Sequence, residues 1–149
     1  MDEKKRLQEE LEYWKNRALT DSLTGLRNRE ALEEDLSSHS DKGFVFIDVD
    51  DFKAVNDTRG HEAGDQVLQN VADALRSVHG QAYRLGGEEF LIVCPGRQKA
   101  ARIGTRAVKE VRESTTVTIS AGVGDTIAEA DQMMYRAKQR GKNQCRGGD

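Results

Sequence analysis

The sequence predicts an α/β fold: a βαββαβ sheet of the ferredoxin-like or polymerase-palm kind, with flanking helices and one more helix at the N-terminus. Three observations lead there. The run FVFIDV, residues 44–49, is apolar and β-branched and ends in acids, as a central strand does. The segments QAYRL (81–85) and EFLIVC (89–94) are two further strands joined across Gly86-Gly87. Between and after them, apolar residues recur at helical spacing, and a last β-branched run extends from Thr116 to Val123.

Taken along the chain, residues 1–20 stand apart from the rest. They hold no Gly or Pro, and Leu7, Leu11, Trp14 and Ala18 form a helical stripe. Lys5 with Glu9 and Arg6 with Glu10 add i,i+4 pairs on the wet face. This helix either packs on its own domain or serves as a short dimerising stalk. Residues 21–149 read as one domain. Asn28 caps a helix through Leu32 and Leu36. After the first strand, the glycine-punctuated stretch NDTRGHEAGD (56–65) reads as a turn. Asp65 then caps a helix with Val67, Leu68, Val71, Leu75 and Val78 on one face. A weakly apolar helix is expected over residues 98–113, with Ile103, Ala107 and Val111 inward. The last helix, Ala128 to Arg140, stops at Gly141.

Composition narrows the class. A chain of 149 residues supports one hydrophobic core, and 36% apolar against 33% charged residues gives a well-solvated surface. A formal net charge of −3 argues against duplex nucleic acid as a partner, since phosphate-backbone binders carry a basic excess. No apolar run approaches the roughly 20 residues that span a bilayer, so no membrane insertion is expected. The charged start from Asp2 lacks an apolar signal-peptide core. The only cysteines, Cys94 and Cys145, give neither a disulfide framework nor zinc spacing. The cytoplasm is the expected compartment.

Four segments carry chemistry. In IDVDDFKAVND (47–57), strand alternation puts Asp48 and Asp50 on one face where the strand ends. Clustered carboxylates there suit magnesium, or serve to cap the following helix. In RLGGEEF (84–90), two glycines free the hairpin turn and two adjacent glutamates, Glu88 and Glu89, repel each other unless a cation compensates. With the hairpin beside the first strand, Asp48 and a glutamate can share one or two metals, as a two-metal nucleotidyl transfer needs; otherwise the hairpin is a solvated surface turn. Asn56, His61 and Asp65 either read the polar edge of a purine such as guanine or form turns and caps. Lys138 and Lys142, four residues apart, either complement the last helix's C-terminus or neutralise a triphosphate. No P-loop, GxGxxG, or nucleophile paired with histidine is present.

Together these segments resemble the GGDEF family of diguanylate cyclases, whose signature stands here as GGEEF, Gly86–Phe90. DSLTGLRNR (21–29), DVDDFKAVNDTRGHEAGD (48–65), SAGVG (120–124) and YRAKQRGKN (135–143) extend the resemblance over nearly all of residues 21–143. It implies condensation of two GTP molecules into cyclic di-GMP and pyrophosphate, with Mg²⁺, or Mn²⁺ in its place, across a homodimer. Asp48 would hold metal through its carboxylate and Val49 through its carbonyl. Glu88 would be the second ligand and the base, with Glu89 completing the signature. Asn56 and Asp65 would bind guanine with His61 lining the pocket. Backbone amides at Asp51 and Phe52 would hold phosphates, and Lys138 and Lys142 would neutralise them. The resemblance also allows a catalytically silent domain that binds GTP or a cyclic dinucleotide or mediates dimerisation. The family's inhibitory RxxD motif is replaced by Ser77-Val78-His79-Gly80, so no product-inhibition site of that type is expected.

Overall fold

The computed structural model describes residues 2–36 and 41–148, so Met1 and Asp149, the outer ends of the two expected segments, lie outside the described residues. The chain runs α1 (Glu3–Ala18), α2 (Arg29–Leu36), β1 (Gly43–Val49), α3 (Phe52–Arg59), α4 (His61–Arg76), β2 (Gln81–Gly86), β3 (Glu89–Cys94), α5 (Arg97–Ser114), β4 (Ile119–Gly124), α6 (Ile127–Gln139) and β5 (Gln144–Arg146). The described strands form one sheet in the order β2-β3-β1-β4-β5. β1 lies at its centre, antiparallel to both β3 and β4, as its continuous apolar run requires.

Strand alternation divides the core in two. Val45, Ile47 and Val49 of β1 point to the face covered by α4 and α5, where they pack with Phe90, Ile92, Leu75 and Val111. Phe44 and Phe46 point to the other face, against α2 and α6, packing with Leu32, Leu91, Ala130 and Met134. Asp48 follows Phe46 in this alternation and therefore emerges on the α6 side. α6 comes unusually close because β4 carries glycines there. A Cβ on Gly122 would overlap the Ala130 carbonyl and the Met134 amide, and one on Gly124 would meet the Ala130 amide at 2.6 Å.

Local signals behave largely as read. The Asn28 side chain accepts from the Ala31 amide at 3.0 Å and caps α2. The hairpin turn between β2 and β3 uses Gly87 at φ +48°, in the left-handed region that glycine enters without strain. α1 buries none of its residues, with Leu11 67% and Trp14 58% exposed. The expectation that it packs on its own domain is not met.

Three expectations are corrected. The stretch 56–65 is not a turn: α3 occupies its start, Gly60 at φ +90° makes the break, and α4 begins at His61. Asp65 thus sits in the second turn of α4 and is not its cap. Gly64 lies within the helix because a Cβ there would overlap the Asn56 side chain, so it is a packing glycine. β4 starts at Ile119 and not at Thr116, since the Thr115 hydroxyl ties up both the Val117 amide (3.2 Å) and carbonyl (3.1 Å) in a local turn. The short polar strand β5, with parallel pairing to β4, has no hydrophobic signal in the sequence.

Candidate active site

The site assembles where β1 ends. Antiparallel register sets Asp48 opposite Glu89 on β3 and opposite Ser120 on β4. The Val49 amide donates to the Glu88 carbonyl at 3.2 Å, which locks the glutamate turn against the end of β1. The expected juxtaposition of Asp48 with the glutamates is therefore present. Arg84 fixes the turn from behind. Its guanidinium donates to the Gly87 carbonyl (2.8 Å) and to Asp21 (3.1 Å). Bonds from Thr24 and Arg84 overcome burial and hold the Asp21 carboxyl below its ordinary range.

α6 reaches over this edge and delivers Lys138. Its ammonium lies 2.7 Å from Asp48 Oδ1, 3.0 Å from Asp50 Oδ1 and 3.3 Å from the Val49 carbonyl oxygen. Burial alone would lower the lysine's pKa, but the bonds to Asp48 and Asp50 outweigh it and raise it. Asp50 is 3% exposed and accepts from Ser120 (2.6 Å), Thr118 (2.7 Å) and the Asn143 amide (3.0 Å) besides Lys138. Burial works against its charge, yet these donors hold its carboxyl below the usual range. The capping alternative is not realised: Asp51, the residue before α3, makes no side-chain cap bond, and its carboxylate accepts from Lys142 at 2.6 Å.

Glu88 and Glu89 are in the opposite situation. Burial and the nearby Asp48 charge push the Glu88 carboxyl up, with Lys138 compensating in part. Burial, Asp48 and Asp131 push Glu89 up, with Arg29 opposing. Among the described residues no side chain donates a hydrogen bond to either glutamate. The donor set at this edge, two kinds of carboxylate beside a backbone carbonyl, is hard oxygen. Among the described residues, no three His, Cys, Asp or Glu side chains close on one point as a ready-made cage. Magnesium does not need one, because it keeps waters and substrate phosphates in its shell. Two of these oxygens, Asp48 Oδ1 and the Val49 carbonyl, already lie on one cation, the Lys138 ammonium, so they fit a positive charge.

The remaining expected residues lie on an adjoining surface. Asn56 projects from α3, and His61 and Asp65 lie in the first two turns of α4; His61 and Asp65 are exposed and Asn56 is half-buried. Phe52, which opens α3, is buried at 8% exposure and packs in the core beneath the turn. Gly64 is the packing partner that sequence reasoning passed over, and Arg84, Thr118 and Ser120 are positioning residues it did not single out.

Comparison with known proteins agrees with this arrangement. The family model described as diguanylate cyclase, GGDEF domain, matches residues 18–144. The diguanylate cyclase VdcA of Vibrio cholerae is 36% identical over 169 residues, an alignment covering 93% of this chain and 49% of VdcA. The diguanylate cyclase DgcP of Pseudomonas aeruginosa is 38% identical, over 89% of this chain and 24% of DgcP. Among solved structures, the diguanylate cyclase SiaD of Pseudomonas aeruginosa, in complex with its activator SiaC, superposes with a TM-score of 0.81 at 32% identity, covering 95% of this chain and 66% of SiaD. The coiled coil and GGDEF domain of DgcB from Caulobacter crescentus, in complex with c-di-GMP, gives 0.80 at 28% identity, covering 97% and 93%. The chain belongs to the diguanylate cyclase GGDEF-domain family. It spans about a quarter to a half of the length of the curated relatives it matches. No described helix is long and apolar enough to cross a membrane.

Proposed function

We propose that this chain is a diguanylate cyclase, joining two GTP molecules into cyclic di-GMP with release of pyrophosphate. The observation that carries the reading is the meeting of Asp48 with the intact Glu88-Glu89 pair at the end of β1, beside a cation. Paired acids without internal hydrogen-bond donors have a use at a metal–phosphate centre and none in a plain hairpin. Degenerate, silent domains of this kind usually lose a signature acid, and the three acids Asp48, Glu88 and Glu89 all standing here favours the enzyme.

Each residue then has a task. The Asp48 carboxylate, the Val49 carbonyl and Glu88 would hold Mg²⁺, with Mn²⁺ able to replace it. When bound, the metal neutralises phosphate charge in the transition state. Glu88, with its carboxyl pushed up, takes the proton from the 3′-hydroxyl of one GTP as that oxygen attacks the α-phosphate of the other. The bond to pyrophosphate breaks, and a second such step closes the ring. Glu89 shapes the charge of the turn. Asn56 and Asp65 read the guanine, Asp65 accepting from the N1–H and amino hydrogens that adenine lacks, and His61 lines the pocket. Backbone amides at Asp51 and Phe52 meet the phosphates, with Lys138 and Lys142 as counter-charges.

Because each domain holds one GTP, catalysis needs a second copy of the chain. The exposed stripe of Leu7, Leu11 and Trp14 on α1 is available to bring two copies together. Soluble GTP as substrate is consistent with a cytoplasmic setting. The test is incubation with GTP and Mg²⁺ at several protein concentrations, resolving products by chromatography. Cyclic di-GMP formed at a rate rising faster than linearly with protein supports the dimeric enzyme. GTP binding without product at any concentration would make the chain a silent binding module, and a mixed product from GTP plus ATP would refute the guanine assignment.

A further inference from the structure

The cation held by Asp48 in this structure is Lys138, and its oxygen partners are largely those that the cyclase reading gives to magnesium. We infer that Lys138 is a placeholder cation: it occupies the metal-donor oxygens in the nucleotide-free protein and moves to the arriving triphosphate, so that divalent-metal binding is conditional on nucleotide. The inference rests on the cyclase reading for the identity of the nucleotide.

The geometry supplies the argument. An ammonium has three donors, and here they meet three oxygens: Asp48 Oδ1 at 2.7 Å, Asp50 Oδ1 at 3.0 Å and the Val49 carbonyl at 3.3 Å. Two of these three belong to the proposed metal set. An ammonium at such distances from the oxygens and a divalent ion on the same oxygens repel each other strongly in a half-buried site. One must leave. The helix cannot retreat, because Gly122 and Gly124 seat the α6 backbone directly on β4. The lysine stem can, being a flexible four-carbon chain.

The two carboxylates respond differently to that departure. Asp50 keeps the hydroxyls of Thr118 and Ser120 and the Asn143 amide, so its charge stays solvated by the protein. Asp48 has Lys138 as its only side-chain partner among the described residues. Release of Lys138 therefore leaves Asp48 uncompensated beside Glu88 and Glu89, and a divalent ion restores the balance. A metal–triphosphate complex brings both parts of the exchange: an anion for the lysine and a cation for the aspartate. Coupling of this kind is reciprocal, so the metal raises nucleotide affinity as much as nucleotide raises metal affinity.

The experiment measures Mn²⁺ affinity of the full chain by electron paramagnetic resonance, with and without 3′-deoxy-GTP, which lacks the attacking hydroxyl. Without nucleotide, Lys138→Met should bind Mn²⁺ about tenfold more tightly than wild type, within the ordinary range of site coupling. Lys138→Arg, which keeps a cation in place, should stay near wild type. Adding Asp48→Asn to Lys138→Met should remove the gain. In wild type, 3′-deoxy-GTP should tighten Mn²⁺ by a comparable factor, and in Lys138→Met by less. Equal Mn²⁺ affinity in wild type and Lys138→Met overturns the inference, as does a gain that survives loss of Asp48. If Lys138→Met does not fold, Lys138→Gln and the wild-type nucleotide titration carry the same contrast. Failure of the cyclase reading looks different: no variant binds 3′-deoxy-GTP while the nucleotide-free Mn²⁺ contrast remains.

Discussion

Asp50 and the Glu88-Glu89 pair carry the same charge within one corner of the fold, and the protein treats them oppositely. Asp50 is closed in by four donors drawn from β4 and the residue before it, from α6 and from the chain after α6, and its carboxyl is held down. Glu88 and Glu89 are half-buried beside Asp48 with no donor of their own among the described residues, and theirs are pushed up. The difference separates an acid that builds the structure from acids left unsatisfied for a ligand. Asp48 stands between the two conditions, satisfied among the described residues by one lysine alone.

The contrast breaks most sharply at Glu88. Glu88→Gln keeps the shape and removes the charge, and cyclic di-GMP formation should fall by about 10³-fold or more, roughly 4 kcal/mol of barrier. Thermal unfolding should barely change, because no internal bond is lost. A variant that retains most of its rate would end the assignment of base and ligand. At Asp50 the effect should move from activity to stability. Asp50→Asn leaves hydroxyl and ammonium donors facing an amide, at a cost of about 3 kcal/mol in urea unfolding at pH 7. Because the folded carboxyl lies below its ordinary 3.8, the stabilisation is present above that pH and lost as pH falls through the folded value. The gap between wild type and Asp50→Asn should therefore close in acid, and a gap that stays constant would show that charge is not what Asp50 contributes.

The smallest effect sharpens the other side of the comparison. A carboxyl raised above its ordinary 4.5 stabilises the fold at lower pH and withdraws that stabilisation as pH rises through the folded value. Relative to Glu88→Gln, wild type free of nucleotide and metal should lose a little stability as pH rises from 4.5 through the folded carboxyl's raised value. Saturating Mg²⁺ with 3′-deoxy-GTP should remove the loss. A difference of opposite sign, measured by unfolding at each pH, would mean that Glu88 has a compensating partner.

Much of this was legible along the chain. FVFIDV declares a buried strand through its unbroken β-branched run, Asn28 declares a helix start, and Gly86-Gly87 declares a hairpin, because each depends on neighbours in sequence. GGEEF together with the other family motifs was enough to name the family, and the acids at 48, 88 and 89 were legible with it. Alternation along β1 was also enough to put Asp48 and Asp50 on one face.

What the sequence could not decide depended on partners far along the chain. Asp50 meets Thr118 and Ser120 some 70 residues away and Lys138 at a separation of 88, and only sheet register and the seating of α6 bring them within reach. Gly64 reads locally as part of a turn and Gly122 as one residue of a strand, yet Gly64 lies where the Asn56 side chain presses on α4, and Gly122 and Gly124 lie where the α6 backbone presses on β4. β5 forms because β4 offers it an edge, although three residues of Gln-Cys-Arg have no strand pattern of their own. The residue types at the site were set by the sequence; which acid is satisfied, and by which cation, was set by tertiary contact, since hydrogen bonds and desolvation depend on distance in space and not along the chain.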